Sequence, residues 1–206
     1  MKVVESPATW NARMLQGHTK GWHLLVYICA GILKYKPGPI VEIGMGASSL
    51  EFAYLAQNAK VKFYSCDLVM GGMFGAFKGK LFPEHICFIG KSEDFIKTFD
   101  DEPVIVFMDG QHDYEVVKME TRFFLKKMKP EGVLFMHDTF PPARHHLEKN
   151  PRPHDVYKMR QELERNPNYD VFTWPYSALG MGLTMVMKHR RDRPFWRKNG
   201  RTYGIN

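Results

Sequence analysis

VEIGMGASSL, residues 41–50, and VFMDGQHDYEVV, residues 106–117, decide the fold. The first run places Glu42 at the end of an apolar stretch and follows it with Gly44, Gly46 and Ser48. This is how a buried parallel strand turns into a helix whose N-terminus must meet a bulky ligand closely. Glycine opens backbone conformations closed to other residues and removes the Cβ that would block approach. The second run ends an apolar strand on Asp109 and sets His112 three residues later.

Outward from these runs the chain alternates strand and helix signals. Residues 1–23 hold few periodic apolar positions and read as a lead-in segment. Leu24, Leu25, Ile28, Cys29 and Ile32 then recur at helical spacing, and Lys36-Pro37-Gly38-Pro39 stops that helix. Strands are expected at 40–43, 61–66 (closing on Asp67), 86–89, 104–108 (closing on Asp109) and 133–136 (closing on His137-Asp138). Helices are expected at 49–58, 92–98 and 115–128, and from the loop 141–154 to about Asn166. The glycine-rich stretch 70–80 carries neither period and reads as a mobile loop. Two last strands, 169–174 and 182–188, have only a short link and should pair antiparallel at an edge. Alternation of this kind implies βαβ units and a doubly wound parallel sheet covered on both faces. Ligands in such sheets sit outside the carboxyl ends of the strands, where every residue singled out here lies.

Composition narrows the class. With 206 residues, 44% hydrophobic and 25% charged, the chain is expected to form one globular domain over about 24–188. No apolar run reaches the roughly 20 residues that span a bilayer. The first residues have no apolar signal core, so a cytoplasmic protein is expected. Cys29, Cys66 and Cys87 are too widely spaced for a disulfide framework or a paired-cysteine metal knuckle, and read as small buried hydrophobes. The net charge is +7, but seven Lys/Arg and one Asp fall between Lys188 and Arg201, leaving the rest nearly neutral. This basic tail, 189–206, interleaves Phe195, Trp196 and Tyr203 and could grip phosphate; a solvated terminus is the commoner meaning of such a run.

The strand ends carry the chemistry. The third glycine of a dinucleotide turn is replaced by Ser49, and Glu42 would repel a pyrophosphate but attract the ammonium of an amino-acid moiety. Asp67 suits the two hydroxyls of a ribose, and Gly90-Lys91-Ser92 an adenine edge. Amine, ribose and adenine in that order describe S-adenosylmethionine. Strands ending on Asp109 and Asp138 should be neighbours about 4.8 Å apart, bringing two carboxylates to one point. Like charges so held raise each other's pKa unless a cation lies between them. Oxygen donors suit Mg²⁺. His112, with an ordinary pKa of about 6.5, suits removal of a hydroxyl proton near neutral pH. His145, His146 and His154 read as an exposed loop bordering the acceptor, not as ligands. Asp113 and Tyr114 read as turn and packing residues.

At this point the chain resembles the class I S-adenosylmethionine-dependent methyltransferases over roughly residues 24–188. DGQHDYEVVKMETRFFLKKMKPEGVLFMHDT at 109–139 is similar to the pattern DGxHxYxxVxxDLxxxxxxLxPGGxxxxHDT. That pattern is shared by small-molecule enzymes related to the cephalosporin hydroxylase-like and macrolide-sugar O-methyltransferases. The resemblance implies a Rossmann-like seven-stranded sheet of order 3-2-1-4-5-7-6. It implies a cofactor site at Glu42, Gly44, Met45, Gly46, Ser48, Asp67, Leu68, Ser92 and Asp109. It also implies His112 as the base and a Mg²⁺ held by Asp109, Asp138 and a neighbouring acid. His137 stands where that acid is expected, which admits Mn²⁺. Lys91 and Glu120 replace the usual Asp residues, and Glu120, on a helix, is expected to matter little. The leading expectation is methyl transfer to a hydroxyl of a small molecule, with homo-oligomers allowed. A cofactor-binding protein without catalysis, and an RNA or DNA methyltransferase using the basic tail, are the alternatives; no NPPY-like or paired-cysteine catalytic motif supports the last.

Overall fold

The computed structural model describes residues 23–69, 82–141, 155–175 and 181–188. The expected lead-in up to residue 22, the whole basic tail 189–206, the 70–80 loop and His145, His146 and His154 lie outside the described residues. The elements, numbered in chain order, are α1 (His23–Tyr35), β1 (Ile40–Ile43), α2 (Ala47–Ala59), β2 (Phe63–Asp67), β3 (His85–Ile89) and α3 (Ser92–Thr98). They continue as β4 (Ile105–Met108), α4 (Tyr114–Lys127), β5 (Val133–His137), α5 (Val156–Glu164), β6 (Tyr169–Trp174) and β7 (Leu183–Lys188).

The seven strands form one sheet of order β3-β2-β1-β4-β5-β7-β6. The first five are parallel, while β7 runs antiparallel to both β5 and β6. The expected doubly wound α/β sheet with its antiparallel closing pair is therefore the observed one. β1 and β4 are buried at every position, because helices cover both faces of the central strands. One face of the sheet packs Ile40, Phe63, Phe107 and Phe135 against Leu25, Cys29 and Phe52 of α1 and α2. The other packs Val41, Val106, Leu134 and Met136 against Phe95 of α3, Phe124 of α4 and Met159 of α5. Truncating one of these buried phenylalanines to Ala would cost about 3–5 kcal/mol.

Some element ends differ from expectation for local reasons. β2 starts at Phe63 rather than Val61, because the Val61 N–H is already committed to Ala56 O at the end of α2 (2.9 Å). Helix α2 starts at Ala47 rather than Ser49, directly after the glycine turn. β5 runs through His137, which pairs with Leu183 of β7. Asp113 caps α4 by accepting from the N–H groups of Glu115 (3.0 Å) and Val116 (3.3 Å), the turn role its position suggested.

Register matters most for function. Ile43 lies beside both Cys66 and Met108, and Met108 beside Met136. Gly44, Asp67, Asp109 and His137 consequently leave the sheet at one edge.

Candidate functional site

The turn after β1 is built around a close crossing of two chains. Gly44 adopts φ +89°, and a Cβ there would lie 2.2 Å from the carbonyl oxygen of Asp109. Gly44 N donates to Cys66 O (2.8 Å), and Asp109 N donates to Ile43 O (2.8 Å). The ends of β1, β2 and β4 are thereby fixed to one another. Gly46 faces open space, with nothing within 4 Å of a Cβ placed on it.

Glu42 lies fully buried beneath this turn. Its Oε1 accepts from the Ser48 hydroxyl at 2.6 Å, while Oε2 has no hydrogen-bond partner. Burial pushes its pKa up to about 8; the Ser48 and Ser49 hydroxyls pull it down, and Asp109 and Asp67 add to the rise. A buried acceptor left without a donor is costly, on the order of 1–3 kcal/mol. An incoming ammonium would satisfy it.

Asp67, the last residue of β2, accepts from Met45 N through Oδ2 (2.8 Å) and from Val69 N through Oδ1 (3.3 Å). It therefore orders the glycine turn and its own following residues, and its carboxylate stays part-exposed at the sheet edge. Leu68 and Val69 are exposed beside it, at 59% and 63%. Ser92 opens α3, and its hydroxyl is hydrogen-bonded to the buried carboxyl of Glu120 on α4. The Cys87 thiol lies against Met45 Sδ (3.8 Å), and unlike Cys29 and Cys66 it is half-exposed.

Across the same edge, β4 and β5 deliver a compact polar cluster. His137 Nδ1 lies 3.1 Å from Asp109 Oδ1 and 3.0 Å from Asp138 Oδ1. His112 Nε2 lies 3.3 Å from Asp138 Oδ2 and 3.7 Å from Asp109 Oδ1. Burial opposes charge on both Asp109 and His137, but the facing groups outweigh it. His112, and after it His137, hold Asp109 below the usual carboxylate range, and the two carboxylates raise His137 to about 10. Asp138 adopts φ +56°, a left-handed conformation that Asp tolerates better than most residues. The surrounding turn is over-determined: Phe140 N donates to Met181 O (2.7 Å), the Thr184 hydroxyl donates to Thr139 Oγ1 (2.7 Å) and Arg160 Nε donates to Thr139 O (3.0 Å). The His112 carbonyl accepts from Asp155 N (2.9 Å), which ties the head of α5 to the site.

Ligand atoms of Asp109, His137 and Asp138 lie within 4.8 Å of one another, a spacing that one divalent ion could bridge. The structure thus brings Asp109, His112, His137 and Asp138 together at one point. It gathers Glu42, Gly44, Met45, Gly46, Ser48 and Asp67 at the adjacent turn. Ser92 opens α3 just after β3, whose following Gly90 donates its N–H to Asp67 O (2.8 Å). Glu120 was expected to matter little on its helix. It is buried, its Oε1 lacks a partner, and its pKa is raised to about 7, chiefly by burial. The available signal was its place on the buried stripe that includes Val117, Thr121 and Phe124. The anchoring role of Thr139 and Thr184 was also not anticipated.

Residues 41–139 match a family model described as a methyltransferase domain. A search of curated proteins found no match. Among solved structures, the methyltransferase PaMTH1 of Podospora anserina, bound to S-adenosylhomocysteine, is 18% identical with a TM-score of 0.62, covering 87% of this chain and 84% of its own. An O-methyltransferase of Bacillus cereus, also with S-adenosylhomocysteine, is 14% identical with a TM-score of 0.59, covering 90% and 82%. The methyltransferase MycE of the mycinamycin pathway, in complex with Mg, S-adenosylhomocysteine and mycinamycin VI, is 15% identical with a TM-score of 0.52, covering 75% of this chain and 45% of its own. At these identities the likeness shows the fold.

Proposed function

We propose that this chain is a class I S-adenosylmethionine-dependent methyltransferase that moves a methyl group from S-adenosylmethionine to a hydroxyl oxygen of a small molecule, a reading supported by the match of residues 41–139 to a methyltransferase-domain model. The observation that carries the reading is the unpartnered Oε2 of buried Glu42 beneath a glycine turn whose outer side is open. Glu42 would take the ammonium of the cofactor, and Gly44, Met45, Gly46 and Ser48 would line its amino-acid moiety. Asp67 would take the ribose hydroxyls and Leu68 and Ser92 would border the adenine, with Asp109 closing the site from β4. Bound there, S-adenosylmethionine supplies a sulfonium-activated methyl group for in-line displacement.

The chain's own part is alignment and proton removal. His112 Nε2 takes the acceptor's hydroxyl proton. Asp138 Oδ2 lies 3.3 Å from that nitrogen and favours the imidazolium that forms, by accepting from the newly protonated Nε2. Asp109, His137 and Asp138 fit a divalent ion, and MycE is a structural neighbour described with Mg. Such an ion would lower the pKa of the acceptor hydroxyl. Among the described residues no helix is long and apolar enough to cross a membrane. In this reading residues 24–188 form the catalytic unit, in the cytoplasm, and nucleic acid is not the acceptor.

Calorimetric titration with S-adenosylmethionine, S-adenosylhomocysteine and NAD tests the cofactor. Micromolar-range binding of the first two, lost in Asp67→Ala, is expected. Tighter NAD binding, or an Asp67→Ala chain that binds as well as the parent, would overturn the assignment. Transfer of labelled methyl to a panel of hydroxyl compounds, weighed against RNA and DNA, tests the acceptor class.

A further inference from the structure

We propose that the ion held between β4 and β5 is a transition-metal dication, selected over Mg²⁺ by the imidazole nitrogen of His137. The inference rests on the metal part of the reading above and adds the identity of the ion.

The donor set is one nitrogen and two carboxylates, and the nitrogen cannot leave it. His137 is the final residue of β5, flanked by the β4 end and by its pairing with Leu183, so the backbone fixes the side of the sheet from which the ring projects. Its side chain is only 13% exposed, and Nδ1 faces both carboxylates at 3.1 and 3.0 Å. Asp138 is equally constrained, because its φ of +56° is set between β5 and the Thr139–Thr184 and Phe140–Met181 contacts. The aspartates therefore present their oxygens to the ring, and the ring presents its nitrogen to the same point.

Among the described residues no third carboxylate joins this group to restore an all-oxygen site. Among the described residues, Asp109, His137 and Asp138 are the only group of three with metal-ligand spacing. Glu42, beneath the glycine turn, and Glu120, on α4, each keep one carboxylate oxygen without a partner but fall outside that group. The Thr139 hydroxyl is taken by Thr184. The nearest further donor is again an imidazole, that of His112.

Mg²⁺ demands octahedral oxygen ligation and gives up water reluctantly, so replacing one carboxylate by imidazole costs it both charge and a preferred donor. Manganese, iron, cobalt and zinc dications accept imidazole readily, with affinity rising along that series except where geometry intervenes. Two carboxylates and one imidazole on one side, with the remaining positions open, suit such ions.

The test uses the full-length chain stripped of metal and titrated calorimetrically with MnCl₂, CoCl₂ and MgCl₂, with Mn²⁺ binding also followed by electron paramagnetic resonance. Mn²⁺ is expected to bind about tenfold or more tightly than Mg²⁺, and Co²⁺ more tightly than Mn²⁺. In Asp138→Asn all three should weaken together, which locates the ion. In His137→Glu the Mn²⁺ to Mg²⁺ ratio should fall towards unity. Mg²⁺ and Mn²⁺ affinities within threefold of each other in the parent chain would overturn the selection while leaving an ion at the site. Absence of binding by all three ions would overturn the metal reading itself. The parent ratio decides the matter even if His137→Glu fails to fold, and an unchanged ratio in a folded His137→Glu would likewise refute the role of the imidazole.

Discussion

Replacing Glu42 by Gln probes the buried acid on which the cofactor reading depends. In the folded chain its pKa is about 8 against an ordinary 4.5, with burial the main cause. The unfolded chain therefore releases this proton near pH 4.5, whereas the folded chain keeps it until about pH 8. Over that window the native state binds more protons, so Glu42 makes stability fall as pH rises. At 1.36 kcal/mol per unit, the loss at pH 7 is about 3 kcal/mol, and it levels off near 5 kcal/mol above pH 8. Gln has nearly the same shape and does not titrate. Glu42→Gln should match the parent at pH 4.5 and gain progressively on it to about 3 kcal/mol at pH 7. For a chain of this size that is a difference in Tm on the order of 6–12 °C. The assay is thermal unfolding of both chains from pH 4.5 to 8.5. The cofactor adds a second arm: an ammonium bound to Glu42 favours its ionised form, so binding at pH 7 should release a proton in the parent and not in the variant. Calorimetry in buffers of different ionisation enthalpy reads that release. A parent-to-variant difference in Tm that stays flat with pH would refute the reasoning.

Three further outcomes follow from the same geometry. Gly44→Ala places a Cβ 2.2 Å from the Asp109 carbonyl at φ +89°; it should cost about 2–4 kcal/mol in denaturant unfolding and weaken S-adenosylhomocysteine binding, and a neutral substitution would mean that the crossing of β1 and β4 yields easily. His112→Ala should lower turnover by about 10²-fold to 10⁴-fold with cofactor affinity nearly unchanged, as measured by single-turnover kinetics beside calorimetry; a rate within tenfold of the parent would remove it as the base. Removing the residues after Arg190 should leave cofactor binding intact, since β7, the last described strand, ends at Lys188; a truncated chain that fails to fold would show that the tail packs on the domain or on a second copy.

The sheet was legible because its signals are redundant. β1 and β4 are apolar at nearly every position, as strands covered on both faces must be, and each closes on a polar residue or glycine at the functional edge. β6 was legible to the residue, from Tyr169 to Trp174. Element ends were less legible where a hydrogen bond spanned two elements, as at Val61, whose N–H serves the end of α2. In the site, acidic and glycine residues at strand ends were readable because strand ends converge in a parallel sheet. Glu120 was not, because its meaning depends on which face of α4 meets α3, a tertiary fact. Thr139 and Thr184 are 45 residues apart, and only the antiparallel pairing of β5 with β7 brings their hydroxyls together.

The most direct measurement of the account is a crystal structure of the full-length chain with S-adenosylhomocysteine. The ligand's amine is expected within hydrogen-bonding distance of Glu42 Oε2, its ribose hydroxyls on Asp67, and its sulfur turned towards Asp109 and His112. A ligand seated elsewhere, or an amine bound away from Glu42 with that Oε2 still unpartnered, would contradict it.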